Sequence, residues 1–201
     1  PLKQALGFFR DNDMPSEMSL SLLHIGDLYS TLNQTSLAHT YYRDALESIE
    51  KTNDSRLLGI IKTRLGALLL KTSTPIQAIE SIENGLKHLD ATDDVGAIAE
   101  AKMLLGSALV EHGDTQNGRK LLQEAMAFAQ SSGQLKLMQE GRLALARAYM
   151  KEQSFELALA EARTGTVEAR KHRDLREQIS FLSLQLNAFV SVGEFKKALD
   201  I

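Results

Sequence analysis

Histidine combines acid–base chemistry with metal binding, and this sequence contains five histidines. Two histidines three or four residues apart on a helix would share one face and could hold a metal ion together. The five are spaced too widely for that arrangement: His24, His39, His88, His112 and His172. The sequence therefore predicts no metal site.

The other reactive residue types are no better placed for catalysis. The chain has no cysteine, which excludes a disulfide framework, a cysteine-based zinc site and a cysteine nucleophile. Phosphate-binding loops and GxSxG elbows need a strand before a helix, and no strand pattern is present. Most carboxylates stand singly at helix ends or on polar faces, where capping and solvation explain them. We therefore expect no catalytic residue, no cofactor and no enzyme activity.

A basic run follows one predicted helix and enters the next. Its members are Arg170, Lys171, His172, Arg173 and Arg176. Cations are favoured at a helix C-terminus by the helix dipole, so a structural role is the preferred interpretation. Docking of an acidic partner is the alternative, which Glu168, Asp174 and Glu177 weaken by diluting the charge.

The overall composition limits the kinds of partner. The 201 residues are 43% hydrophobic and 24% charged, as in an ordinary globular chain. A formal charge of −3 and the absence of tryptophan argue against nucleic acid. The longest apolar stretch, 65–70, is far too short to cross a bilayer, so we expect no membrane insertion. The oligomeric state and the compartment are left open, with the cytoplasm as the favoured expectation.

The sequence repeats itself every 40 residues. Small residues recur at that interval in three columns: Gly26, Gly66, Gly106 and Ala146; Ala38, Ala78, Gly118, Ala158 and Ala198; and Ala5, Ala45, Gly85, Ala125 and Gly165. Large apolar residues keep the same register, namely Tyr29, Leu69, Leu109, Tyr149 and Phe189. A glycine or alanine lets a neighbouring helix approach closely, so the small columns predict helix–helix contacts.

Each repeat contains two helical patterns separated by turn residues. Asp54, Asp94 and Asp174 share one register and suit helix N-caps, with Gln134 as the exception. The pattern predicts helices at 1–11, 17–32, 35–51, 55–72, 75–89, 95–112, 115–131, 135–152, 155–171, 175–192 and 194–201. Such a hairpin cannot bury its apolar face alone, so stability must come from stacking on its neighbours.

These columns resemble the tetratricopeptide repeat in a long, 40-residue form. The family pattern places a Leu-Gly pair, an aromatic residue, and then Ala, a large residue and Ala at fixed offsets. The first full repeat supplies Ile25-Gly26, Tyr29, Ala38, Tyr42 and Ala45, and the fourth supplies Leu145-Ala146, Tyr149, Phe155, Ala158 and Gly165. The usual period is about 34 residues, so the longer one implies lengthened helices. Gln185-Leu186 stands where Leu-Gly is expected, which predicts altered packing of the fifth first helix.

The resemblance implies an all-α fold, a right-handed α-solenoid of antiparallel helix pairs. We expect one array over 1–201, which opens with the second helix of a truncated repeat and closes with a partial fifth repeat. Its segments are 1–11, 16–53, 54–93, 94–133, 134–173 and 174–201. The chain begins with Pro1 and stops inside a helical pattern, so we expect it to be part of a longer protein.

The resemblance also implies a concave binding groove on the inner face of the first helices. The candidate partner-binding residues are Leu23, Asp27, Ser30, Thr63, Ala67, Leu70, Met103, Ser107, Val110, Leu143, Arg147, Met150 and Asn187, with Ser183 and Val190 completing the columns. The apolar members expected to be partly exposed are Leu70, Met103, Val110, Leu143 and Met150. Methionine suits adaptable binding surfaces, although a role in the helix–helix core is equally open for each.

The predicted function is that of a protein–protein interaction scaffold or adaptor that binds a partner segment in this groove. Chaperone-type members of the family hold a terminal carboxylate with lysine and asparagine side chains, and here only Arg147 and Asn187 are comparable donors. Recognition of such a terminus is therefore not implied. The alternative is a sensor or regulatory input module of a larger signalling or transcription-regulatory protein.

Overall fold

The computed structural model describes residues 2–50, 52–72 and 74–201. Within that part of the chain all regular structure is helical, in eleven helices. The helices are α1 (Leu2–Asp11), α2 (Pro15–Thr31), α3 (Thr35–Ile49), α4 (Ser55–Lys71), α5 (Pro75–Leu89), α6 (Val95–His112), α7 (Thr115–Ser132), α8 (Leu135–Lys151), α9 (Phe155–Lys171), α10 (Leu175–Ser191) and α11 (Phe195–Leu199). The helices predicted from the repeat are confirmed, whereas Pro1, Lys51 and the turn residue Ser73 lie outside the described residues.

Aspartate side chains cap the starts of α4, α6 and α10. Asp54 Oδ1 accepts a hydrogen bond from the Leu57 amide at 2.9 Å, and Asp174 Oδ1 accepts one from the Glu177 amide at 3.0 Å. Asp94 does the same for the first turn of α6, at 2.9 Å. Each bond satisfies an amide that has no partner within its helix. Gln134 makes no such bond, as the sequence suggested.

In the described part of the chain, seven of the helices are followed by a residue with a positive φ angle. Positive φ angles recur at equivalent turn positions, at Asp13, Asn33, Gly113, Gly133, Gln153, Arg173 and Gly193. A left-handed residue just after a helix reverses the chain and satisfies the last carbonyl groups. Only glycine adopts this conformation without steric cost.

The chain divides into two compact units, Pro1–Ala108 and Leu109–Ile201, with the division inside α6. In the first unit, α2 packs on α3 and α4 packs on α5. In the second unit, α8 packs on α7 and α9, and α10 packs on α8, α9 and α11. A single array over the whole chain stays a prediction.

The first unit is assembled around glycine contacts. Its core contains Leu22, Ile49 and Ile61, all buried. At the crossing of α4 and α5, a Cβ added to Gly85 would lie 2.7 Å from the Gly59 carbonyl oxygen and 3.0 Å from the Thr63 amide nitrogen. Two helix backbones therefore meet directly at this point, which only glycine allows.

The second unit accommodates the unusual fifth repeat with a buried hydrogen bond. Gln185, in the column otherwise held by Ile or Leu, is buried and donates through Nε2 to Thr166 Oγ1 at 2.7 Å. Thr166 in turn donates to the Ala162 carbonyl oxygen at 2.8 Å. The polar side chain is thus satisfied inside the contact between α9 and α10.

Changing Gly85 to alanine should lower the free energy of unfolding. The added methyl group would overlap backbone atoms of α4, at a cost of about 1–3 kcal/mol for overpacking. This cost outweighs the gain of roughly 1 kcal/mol that alanine brings to a helix interior. Urea unfolding followed by circular dichroism measures the difference.

Gly7→Ala is the matched control for this prediction. Gly7 also lies within a helix, but an added Cβ would have no atom outside its own helix within 4 Å. The same substitution should leave stability unchanged or raise it by up to about 1 kcal/mol. Equal effects of the two substitutions would contradict the close contact between α4 and α5.

Candidate functional site

One predicted groove column faces the core of the first unit. Leu23, Thr63 and Met103 are buried, Met103 to 3% exposure. Leu23 belongs to the hydrophobic core, and Thr63 Oγ1 donates to the Gly59 carbonyl oxygen at 2.9 Å. The expectation that Met103 would be partly exposed is wrong, because this column lies on the buried flank of the first helices.

Asp27 lies in a polar network that joins four helices of the first unit. Tyr42 Oη donates to Asp27 Oδ1 at 2.7 Å, and Arg64 Nε lies 3.6 Å from the same oxygen. Arg64 Nη2 also donates to Glu100 Oε2 at 3.0 Å. Burial, and then the bond to Asp27, raise the pKa of Tyr42, so its hydroxyl remains a donor. The hydrogen-bonding capacity of Asp27 is therefore partly used within the chain.

Two lysines bind the C-terminal ends of preceding first helices. Lys71 Nζ donates to the Ser30 carbonyl oxygen at 3.1 Å and to Ser30 Oγ at 2.9 Å. Lys151 Nζ donates to the Val110 and Glu111 carbonyl oxygens at 3.0 and 3.1 Å. A cation at this position satisfies orphan carbonyl groups and complements the helix dipole.

Lys151 binds the carbonyl group of Val110, which is one of the predicted groove residues. Val110 is only 2% exposed, so the expectation that it would be partly exposed is wrong. It lies where Lys151 reaches over the end of α6. The packing of the helices determines which side chains are buried in this way. The spacing of apolar residues in the sequence does not indicate it.

Three further candidates in the first unit keep some exposed surface. Ala67, Leu70 and Ser107 are half-buried. Ser107 Oγ donates to the Met103 carbonyl oxygen at 2.9 Å, within its own helix. The partial exposure expected for Leu70 is confirmed.

The second unit leaves its polar groove candidates open. Arg147 on α8 and Asn187 on α10 are both exposed. Neither side chain has a hydrogen-bond or ion-pair partner among the residues that the structure describes. Leu143 and Met150 are half-buried at the margin of the core, as expected, and Val190 is exposed. Open donors and apolar surface therefore occur on two helices in contact with each other.

The electrostatic surroundings of Arg147 are mixed. Burial raises the pKa of Glu177, and the charges of Asp174 and Glu140 add to that shift. Arg147 acts on the same carboxyl group in the opposite direction. The guanidinium of Arg147 therefore has a carboxyl group in its surroundings without forming an ion pair to it.

Sequence reasoning missed a polar cavity between α7, α8 and α9. The cavity measures about 400 Å³ and is lined in part by Met126, Met138 and Arg142. Arg142 Nη1 lies 2.7 Å from Glu161 Oε2, and its Nε lies 3.2 Å from Glu168 Oε2. The spacing of seven residues between the two glutamates, which places both on one helix face, was the available signal.

No metal site or membrane span is found in the described residues. Among them, no group of three or more His, Cys, Asp and Glu side chains could hold a metal ion. Within 2–50, 52–72 and 74–201, no helix combines the length and the apolarity needed to cross a bilayer.

The charged side chain of Lys62 lies beside His88. The Nε2 atom of His88 lies 3.2 Å from Lys62 Nζ. Burial, and then the charge of Lys62, lower the pKa of His88. The neutral ring can accept a hydrogen bond from the lysine, whereas the protonated ring would repel it.

Comparison with known proteins shows the fold. No family model matches the sequence, and no curated protein matches it. Among solved structures, a Rap protein complexed with competence and sporulation factor superposes with a TM-score of 0.80 at 11% identity, over 94% of this chain and 56% of that one. The Rap conjugation gene regulator of plasmid pLS20, in complex with the Phr* peptide, gives 0.74 at 14% identity, over 93% of this chain and 51% of that one.

A third structure carries the repeat in its name. It is a signal transduction ATPase with numerous domains from Pyrococcus horikoshii, which has a tetratricopeptide repeat sensor. Its TM-score is 0.72 at 17% identity, over 92% of this chain and 29% of that one. This chain has a tetratricopeptide-like, all-α solenoid fold. Identities this low show the fold alone, and the chain spans about half the length of the two Rap structures.

The contact between His88 and Lys62 predicts a pH dependence of stability. Because the pKa of His88 is lowered on folding, its favourable contribution is present above the unfolded-state pKa of about 6.5 and is lost as the pH falls through the folded value. The parent should therefore lose stability between pH 7 and pH 5. Urea unfolding at a series of pH values measures this loss.

His88→Gln is the control for this effect. Glutamine can accept a hydrogen bond from Lys62 but does not titrate in this range. The loss of stability on acidification should be smaller in the variant than in the parent. Identical pH profiles would show that the contact does not affect stability.

Proposed function

We propose that the inner face of α8 and α10 binds a segment of a partner protein or a peptide, with Arg147 and Asn187 as its polar contacts. One observation carries the proposal. These two side chains have no partner within the described chain, whereas Asp27 is bonded to Tyr42 and Ser30 to Lys71. Exposed donors that the fold does not use are available to a ligand.

The chemistry of this face suits an extended chain. Arg147 offers a planar fork of donors that matches a carboxylate or two carbonyl groups. Asn187 offers both a donor and an acceptor, as a peptide group does. Leu143, Met150 and Val190 supply apolar area beside them. One structure of similar fold is in complex with a peptide, which supports this assignment.

The remaining groove candidates divide by exposure. Ala67, Leu70 and Ser107, which are half-buried, are proposed as additional contacts in the first unit. The buried candidates are omitted, because a side chain without exposed surface cannot contact a partner in this conformation. They are Leu23, Thr63, Met103 and Val110.

A regulatory input module is the second candidate function. Two structures of similar fold are a gene regulator and a protein with a sensor region, and this chain spans 51% and 29% of them. Both functions require the same binding step. A change in the output of an adjoining domain on peptide binding would favour the regulatory function over a passive scaffold.

The Arg147 contact can be tested with selected peptides. A peptide display library is selected on the parent protein, and the affinity of a recovered acidic peptide is measured by calorimetry. Arg147→Glu should weaken binding by about tenfold or more, because it replaces a charge-assisted hydrogen bond with a repulsion. Asn187→Ala should weaken binding several-fold.

Lys87→Glu and Lys120→Glu provide matched charge reversals on the second helices α5 and α7. Both lysines are exposed, and both changes should leave the affinity within about twofold, since distant surface charges are screened by salt. Loss of binding in these variants, with parental affinity in Arg147→Glu, would place the site on the second helices.

A further inference from the structure

The turn between α9 and α10 carries a net positive charge. This basic turn consists of Arg170, Lys171, His172, Arg173 and Arg176, and all five side chains are exposed. None of them has an ion-pair or hydrogen-bonding side-chain partner in the described part of the chain. The charge is therefore presented to solvent.

The carboxylates that were expected to dilute this charge are used elsewhere. Glu168 accepts hydrogen bonds from Arg142 at 3.2 and 3.3 Å. Asp174 caps α10 through the Glu177 amide. Glu177 is half-buried, and burial raises the pKa of its carboxyl group. Glu168 and Asp174 are thus engaged by groups other than the side chains of the basic turn.

Local structure explains only part of the cluster. Arg170 and Lys171 lie in the last turn of α9, where cations are stabilised by the helix dipole. Arg176 instead lies in the first turn of α10, where the dipole disfavours a cation. Arg173 has a φ angle of 58°, in a position where the preceding repeat has Gly133. Arg176 is therefore disfavoured by the helix dipole, and Arg173 by its left-handed backbone conformation.

The equivalent turns of the other repeats carry less positive charge. The turn at 50–56 has Lys51 and Arg56 against Glu50 and Asp54, and a cation at the position of Arg176 recurs as Arg56 and Lys136. The turn at 90–96 contains Asp90, Asp93 and Asp94 and no lysine or arginine. The turn at 130–136 contains a single charged residue, Lys136. The turn at 170–176 has four lysine or arginine residues against Asp174 alone. The repeat fold therefore does not account for the cations at Arg170 and Arg173, whose equivalents in these turns are not basic.

We propose that the basic turn is a docking surface for an acidic segment of a partner protein, rich in aspartate and glutamate. Arg170, Arg173 and Arg176 follow one another at intervals of three residues, and each guanidinium can bind a carboxylate through two parallel hydrogen bonds. Leu175, between them, is 71% exposed and offers an apolar contact. The surface uses residues other than those of the inner face, so it does not depend on the function proposed above.

The surroundings favour a protein over the other polyanions. The turn has no aromatic side chain on which the bases of a nucleic acid could stack. Binding to a lipid surface would insert one large apolar side chain of the turn, Leu175, into the membrane, which contributes little to membrane affinity. A peptide of alternating carboxylates and small residues matches both the charge and the limited area.

Fluorescence anisotropy with a short labelled peptide of alternating Glu and Ala tests the proposal. The parent should bind this peptide, and binding should weaken as salt is raised. The double variant Arg173→Glu/Arg176→Glu should bind about tenfold more weakly or worse, because two attractions become repulsions. The double variant Lys87→Glu/Lys120→Glu has the same net charge and should bind within about twofold of the parent.

Arg173→Gly separates binding from folding. It removes one cation and also relieves the left-handed backbone at this position, so its thermal stability should equal or exceed that of the parent. Its affinity for the acidic peptide should nevertheless fall by about two- to fivefold, as expected for one charge contact. Unchanged affinity in both Arg173→Gly and the double reversal would overturn the proposal.

Two further outcomes would also reject it. Binding of the parent to duplex DNA or to phosphatidylserine vesicles, without binding to the peptide, would assign the surface to another class of ligand. Loss of peptide binding in Arg147→Glu with full binding in the basic-turn variants would assign the acidic segment to the inner face instead.

Discussion

The architecture depends on contacts in which a large side chain of one helix lies directly on a glycine of another. Tyr42 covers Gly26, and Ile82 covers Gly66, at positions where an added Cβ would overlap the covering side chain. These contacts set how near the two helices of a pair can come. They also restrict the rotation of α2 and α4 about their axes, and that rotation decides which residues face the core and which stay exposed.

This dependence explains why so much of the fold could be predicted from the sequence. Helix bounds follow from apolar spacing and from caps such as Asp54, which act over three or four residues. The repeat adds information, because equivalent residues such as Asp54 and Asp174 play the same part in different repeats. Local signals, repeated several times, are enough to place the helices to within about two residues.

The candidate site was less predictable because exposure depends on side chains distant in sequence. Val110 is buried and its carbonyl oxygen binds Lys151 of another helix, and nothing in the spacing of apolar residues indicates either. Asp27 has the polar character of a binding residue, yet Tyr42 and Arg64 already engage it. Arg147 and Asn187 differ in making no such hydrogen bond or ion pair with the described residues, a property that appears only after the helices are packed.

A residue that opposes a local conformational preference does not by itself indicate a function. Gln153 and Arg173 have the same φ angle of 58°, so a left-handed residue alone marks only a kind of turn that recurs along the chain. Gln153 is uncharged and lies in the helix–helix turn of its repeat. Arg173 adds an unpaired charge, beside Arg176 at the disfavoured end of a helix. The turn geometry accounts for the left-handed backbone of Arg173 but not for its charge. The charge is therefore the feature that a binding partner would explain. Arg173→Gly removes this charge without disturbing the turn.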